Sequence, residues 1–399
     1  MARATATATA PATAPAAPWL AELAGSPLPT RRQEDWRFTA LDPLTAIAPR
    51  LAPRKGGNAW DDPELPVGVE RLEGAAAEEQ WLRLLQASGG GDHWPVGLNR
   101  AAAQRAAEPL LALRVRGAVA EPLLLSLAAS AAGGLRPAQL LLVLEPGASL
   151  ELLQVITDDQ KQPGLEQPGL EQPGLEPAAL SVVTAVQLGG GARLNAGFLA
   201  LGEVQACLLA HWAVLQEPAS ELQLTSAMGG WGLARFEPRI VQSQGAASTR
   251  LRGLQVCDGR QIADTHSAVR FDGPDGQLDQ LHKVLADGQG RSVFNGAVKV
   301  PRLAQRTNAA QLSRSLLLSD RARVDTKPEL EIVADDVKCA HGATVSRLRQ
   351  EELFYLQSRG IAASQAATLL KRAFCEEVLR ELPAAAAGWN PLERLLAEA

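Results

Sequence analysis

Aromatic side chains are scarce in this chain of 399 residues: seven Phe, eight Trp and a single Tyr. The core must be filled by Leu, Val and Ala, and with 46% hydrophobic residues it has ample material. Cysteine is scarcer still. Cys207, Cys257, Cys339 and Cys375 form no C-x-x-C pair, which argues against a disulfide framework and suits a reducing compartment. No apolar run reaches the roughly 18 residues of a membrane span. A basic stripe is missing, and the formal net charge is -5, so nucleic acid is not an expected partner. No G-x-x-x-x-G-K-[ST] occurs, and Gly288-Gln289-Gly290-Arg291 does not supply one, so nucleotide hydrolysis by a phosphate loop is excluded. The start has neither the basic region and apolar core of a signal peptide nor an Arg-rich amphipathic leader, so the expected location is cytoplasmic.

What is present changes character along the chain. Residues 1–18 are an Ala/Thr/Pro tract that cannot bury a face, and a disordered tail is expected. Residues 19–109 read as mostly helical. Trp19-Leu20-Ala21-Glu22-Leu23 opens a short helix, and Trp81, Leu82, Leu84 and Leu85 recur at near-helical spacing. Between them, Arg31 to Thr39 reads as a solvated charge cluster anchored by one buried tryptophan, Trp36. His93-Trp94-Pro95 reads as a loop with a surface histidine.

From about residue 110 short Leu/Val runs alternate with tight turns. Four turns share a form: 145–150, 189–194, 217–222 and 243–248. Ala192, Ala219 and Ala246 stand 27 residues apart in turn. A turn-and-strand unit at such a period predicts a solenoid, although a β-sandwich also gives short strands with turns. Within this stretch, residues 162–176 repeat Gln-Pro-Gly-Leu-Glu three times, which sustains neither strand nor helix and reads as a loop expansion. The strand-rich region runs to about 344. Residues 345–399 then turn helical, with Gly360 as a C-cap, Ser364 as an N-cap, an apolar stripe of Leu370, Ala373, Phe374 and Val378, and Asn390-Pro391 opening a last short helix.

The chemistry concentrates in one stretch. Cys339 and His341 are two residues apart, so on a strand a thiol and an imidazole share one face. Both ligate soft or borderline metals, yet a closed site takes four ligands. Distant loops, a second chain, or a plain buried thiol beside a hydrogen-bonded histidine all remain open on spacing alone. Asp264-Thr265-His266 has the form of a carboxylate steadying an imidazole near a metal, with His282 a further candidate. Asp272, Asp275 and Asp279 are the carboxylates that a polysaccharide-active β-helix enzyme would need.

Longer motifs carry a resemblance. Lys327 to Ile332, Asp335 to Thr344 and Leu353 to Ile361 closely resemble the SufB/SufD family, scaffold subunits of the SUF system of iron–sulfur cluster assembly. Gln280-Leu281-His282-Lys283, Gly290 to Gly296 and Ala304-Gln305-Arg306-Thr307 look like the same family. The Cys-x-His-Gly form of Cys339 to Gly342 is that of the SufD branch. The resemblance implies a mainly β chain with α: a right-handed parallel β-helix core, residues 110–344, flanked by N-terminal and C-terminal helical regions. It implies a scaffold rather than an enzyme, with a SufB-like paralogue and the SufC ATPase as partners; a homodimer is the open alternative for the isolated chain. The cofactor it implies is a transient iron–sulfur cluster at the interface with SufB, contacted by His341 and Cys339, none being held permanently by this chain alone. It places SufC docking on the helical tail, where Tyr355, Arg359 and Phe374 are the candidate residues. A stand-alone metal-binding module is the other reading.

Overall fold

The computed structural model describes residues 18–52, 59–60, 63–130, 132–157 and 176–397. The expected disordered tail before Pro18 and the Pro/Gly repeat before Glu176 lie outside the described residues. The chain winds into a parallel β-solenoid of about seven turns, flanked by helices at both ends. Successive strands alternate between two sheets. The first sheet runs Val69–Arg71, Leu111–Val115, Gly134–Leu144, Ala178–Leu188, Ala206–Gln216, Leu233–Gln242, Ile262–Phe271, Arg291–Val300 and Arg323–Ile332. The second runs Leu123–Ala128, Ser149–Thr157, Arg193–Leu201, Glu221–Gly229, Ser248–Cys257, Gln277–Ala286, Asn308–Leu317 and Lys338–Ser346. Neighbours within each sheet are parallel and one coil apart, except that Val69–Arg71 lies antiparallel on Leu111–Val115. Coil-to-coil parallel pairing decides against the sandwich, whose sheets are antiparallel.

The coils stack because their turns stack. Gly147, Gly191, Ala219, Ala246, Asp275 and Arg306 each adopt a left-handed backbone. The N–H of each donates to a carbonyl of the next coil, as from Ala219 to Ala246 (2.8 Å) and from Ala246 to Pro274 (2.7 Å). The alanine spacing seen in the sequence is half right. Ala219 and Ala246 do stack, but the equivalent of the first is Gly191, not Ala192. The physical period is the register of the ladder, which follows each turn's loop length rather than one residue type.

Inside the coils lie Leu, Val and Ala, with Phe198 stacked on Phe236 at 4.5 Å. Many strands read as continuous apolar runs because their outer faces are covered as well. Helices α1 (Pro18–Ala24), α2 (Ala75–Ala87) and α3 (Trp94–Ala106) cover the first sheet. Leu20, Leu98 and Ala102 pack on Ala179, Leu209 and Leu233, while Trp81, Leu84 and Leu85 pack on Leu141, Val183 and Ala213. His93-Trp94-Pro95 is not a loop. Trp94 and Pro95 open α3, where proline costs no hydrogen bond, and His93 is its N-cap residue.

At the other end come α4 (Gln350–Ser358), α5 (Ala363–Leu379) and α6 (Pro391–Leu396). The leucines that the tail does bury lie on the outer face of the second sheet. Val378, Leu379, Leu382 and Leu395 meet Leu153, Leu199, Leu254 and Val256. Ion pairs pin it there: Glu381 accepts both Arg250 Nε (2.9 Å) and Nη2 (2.7 Å), and Glu377 accepts Lys283 Nζ (2.7 Å). Within the expected stripe Val378 is buried, whereas Ala373 is exposed. Gly360 does take the left-handed conformation after α4, but the N-cap of α5 is Ala362 rather than Ser364. Among the described residues no helix is long and apolar enough to cross a membrane.

Candidate functional site

Both sheets stop at the same end, and both stop open. Among the described residues Arg323–Ile332 pairs only with Arg291–Val300, and Lys338–Ser346 only with Asn308–Leu317. No residue of Lys338–Ser346 is buried. Ile332, Val333 and Val345 are exposed apolar side chains on this last coil. An unpaired strand edge bearing apolar side chains is a template for another chain.

Cys339 and His341 sit on that edge strand. Cys339 is in register with the buried Ala309, and His341 with the buried Gln311. Their shared face is therefore the inward one, which at the last coil is uncovered. Beneath His341 a polar chain runs into the solenoid: Gln311 Nε2 donates to Gln280 Oε1 (2.9 Å), and Gln280 Nε2 donates to Ser267 Oγ (2.7 Å). Cys207, Cys257 and Cys375 are buried, and burial pushes each thiol up to about 12, so they are inert structural groups. Cys339 alone is half exposed; burial raises its thiol, and a backbone hydrogen bond with Ala309 offsets part of that. A metal binding there must displace the thiol proton.

The other candidates lie elsewhere. His282 is inside the solenoid, stacked on Phe294 at 4.1 Å, and its ladder partners Ser313 and Ala343 place it two strands from the edge. Burial lowers its imidazole to about 3. Asp264 and His266 meet, with His266 Nε2 3.0 Å from Asp264 Oδ1, but on the outer face of the first sheet, where Asp264 also accepts from Thr39. On the helical tail, Tyr355 is exposed with the Arg359 guanidinium 4.9 Å from its ring centre, and Phe374 carries the Lys283 ammonium over its ring at 3.9 Å. Asp272, Asp275 and Asp279 form no carboxylate pair. Each is matched to arginine: Arg270, Arg306, and Arg250 with Arg252.

Sequence reasoning missed a second cluster under the N-terminal region. Arg235 and Glu237 point outward from the strand Leu233–Gln242 and are fully buried. Glu237 Oε1 accepts from Arg235 Nε (2.6 Å), and Asp264 Oδ2 accepts from Arg235 Nη1 (2.5 Å). The guanidinium stacks on Trp36 at 3.8 Å. Trp36 is buried and the charges around it, Arg31, Arg32, Glu34, Asp35 and Arg37, are exposed, as expected; the tryptophan is in addition the lid on an internal ion pair. Burial alone would raise Glu237, yet Arg235 and the two imidazoles of His211 and His93 hold it well below the usual carboxylate range. Glu237 Oε2 lies 3.0 Å from His93 Nδ1 and 3.3 Å from His211 Nδ1. The available signal was Arg235-Phe236-Glu237-Pro238-Arg239, where charges alternate along a strand of an otherwise apolar solenoid.

Residues 127–374 match the family described as the SUF system FeS cluster assembly, SufBD core domain. The chain belongs to the SufBD family. An iron–sulfur cluster assembly SufBD family protein of Synechocystis sp. is 44% identical over 177 residues, 44% of this chain. Protein ABCI7, chloroplastic, of Arabidopsis thaliana is 40% identical over 193 residues, 48% of the chain. These matches span 39% and 41% of the two relatives' own lengths, about two fifths of each. The iron–sulfur cluster assembly protein SufD of Escherichia coli is 28% identical over 382 residues, covering 91% of this chain and 87% of that protein.

Proposed function

We propose that this chain is a SufD-like scaffold subunit that pairs with a SufB-like paralogue through the open end of its solenoid. The observation that carries the reading is the last coil. It leaves two sheet edges unpaired and presents Cys339 and His341 side by side at that edge. Two ligands from one chain leave a cluster site incomplete, and a partner strand would supply the rest. His341, with Cys339, contributes from this side; thiolate or carboxylate groups of the paralogue complete a transient iron–sulfur cluster, which is cargo. A SufC-type ATPase docks on the helical tail and carries the nucleotide chemistry. In support, α4 has no buried residue and exposes Phe354 and Tyr355 at 72% and 56%. ATP turnover then shifts the pair between closed and open states. The reduced, unpaired thiols agree with a cytoplasmic setting.

Native mass spectrometry of this chain co-expressed with SufB and SufC from the same source tests the reading. The expected result is one discrete complex containing all three. In that complex His341→Ala is expected to keep the assembly intact and to lose most of the cluster content, with Cys339→Ala losing less. A chain that stays alone, or pairs only with itself, overturns the scaffold reading in favour of a solitary metal-binding module.

A further inference from the structure

We propose that His93, His211 and Glu237 form a site for one divalent transition metal ion of the zinc class, clasping the N-terminal helical region to the solenoid. The three ligand atoms all lie within 4.8 Å of one another. They come from three places in the chain: the start of α3 and two adjacent strands, Ala206–Gln216 and Leu233–Gln242. Around a tetrahedral zinc ion with bonds of about 2.0–2.1 Å, neighbouring ligand atoms stand roughly 3.4 Å apart. The His93–Glu237 and His211–Glu237 separations of 3.0 and 3.3 Å are already close to that. Two imidazoles and one carboxylate are a zinc-binding donor set.

The surroundings favour a cation over a mere pair of hydrogen bonds. Both imidazole Nδ1 atoms converge on a single oxygen, Oε2, while the other oxygen is taken by Arg235. His211 is fully buried. Its Nε2 has no hydrogen-bond partner. Gly90 closes over that ring so tightly that a Cβ there would come within 2.3 Å of Nε2, which fixes the imidazole in place. His93 is partly exposed and lines an open cleft of about 870 Å³, together with Glu34, Asp35 and Asp92. An arriving cation passes this acidic rim, and the cleft leaves room for a water as fourth ligand. Arg239 and Arg235 bring positive charge nearby; Asp264, Asp35 and Glu237 offset it.

The site is on the first sheet, away from the open coil, so it stands whatever the outcome for the scaffold reading. The test uses the full chain stripped of metal, with Co²⁺ as spectroscopic probe and Zn²⁺ as competitor. The expected result is one Co²⁺ per chain with the absorption of a tetrahedral nitrogen–oxygen site, displaced by Zn²⁺. His93→Gln retains a hydrogen bond to Glu237 but not the ligand, and is expected to weaken binding by about 100-fold or more. Zn²⁺ should raise the melting temperature of the wild-type chain and leave that of His93→Gln unchanged. The Cys339→Ala/His341→Ala double variant should still bind. Absence of binding by the wild-type chain overturns the proposal. So does binding that survives His93→Gln, or that is lost with Cys339 and His341.

Discussion

Arg235→Ala should lower the stability of the folded chain by about 3–5 kcal/mol, the largest effect expected from any single substitution outside the apolar interior. Arg235 is fully buried and answers two buried carboxylates at once, Glu237 and Asp264, while its Nη1 also donates to the Asp35 carbonyl at 3.0 Å. The loss is large because of what stays behind. Two carboxylates held ionised in a dry environment would lose their cation, and each would have to take up a proton or pay desolvation unaided. Trp36 would also lose the cation on its ring. Lysine is a poor substitute, since its ammonium cannot present two fixed forks to Glu237 and Asp264 together. Urea unfolding followed by circular dichroism measures the effect. Combining Arg235→Ala with Glu237→Gln and Asp264→Asn should recover part of it, because neither carboxylate is then left as an unpaired buried charge. A loss below about 1 kcal/mol in the single variant would mean that water reaches the cluster and that the pair is not a buried one.

The contrast between this cluster and the last coil shows what a sequence exposes to inspection. Cys339 and His341 share a face because alternation along a strand is a local rule, so their pairing was legible from two positions. Four of the turns were legible for a similar reason: each needs one left-handed residue, and Gly147, Gly191, Ala219 and Ala246 are small residues that mark it, whereas Arg306 takes the same conformation with no such mark. Their exact alignment was not. Successive register partners Arg193, Glu221, Ser248, Gln277, Asn308 and Lys338 are 28, 27, 29, 31 and 30 residues apart, so no fixed period matches all coils. His93 was read as a surface group because its partner Glu237 is 144 residues away. Inward and outward faces of a solenoid strand are both apolar where helices cover the outside, so alternation cannot tell which face His282 or Asp264 takes. The helical tail was ambiguous for a related reason: its stripe could be judged too large for three helices alone, but the sheet that receives it is assembled from strands spread over more than a hundred residues.

The stability of the chain should fall as the pH drops from about 6.5 toward 4.5, and His282 should account for a full proton of that dependence. In the folded chain burial holds this imidazole at about 3, against the stack with Phe294, and only the charge of Asp264 pulls it the other way. In the unfolded chain it titrates near 6.5. The sign follows from linkage. Above about pH 6.5 neither state carries the proton, and the group is neutral in its effect. Below it the unfolded chain binds a proton that the folded chain refuses, so the unfolded state gains by about 1.4 kcal/mol per pH unit until the folded value is reached. Over the two units from 6.5 to 4.5 this amounts to about 2 kcal/mol or somewhat more. The window separates histidine from carboxylates. Glu237 and Asp264 are held below their ordinary values in the fold, so their stabilising contribution is present above about pH 4 and is lost only as the pH falls further. Urea midpoints of the metal-free chain, taken at half-unit steps from pH 7.5 to 4.5, give the slope. His282→Gln, neutral throughout, should lose some stability at pH 7.5 because the ring stack goes, yet its slope should be shallower by about 1.4 kcal/mol per pH unit. His211, whose imidazole burial also lowers, leaves a residual slope of the same sign. An unchanged slope in His282→Gln would mean that the imidazole takes its proton inside the fold, and so that the solenoid interior at this level is open to water.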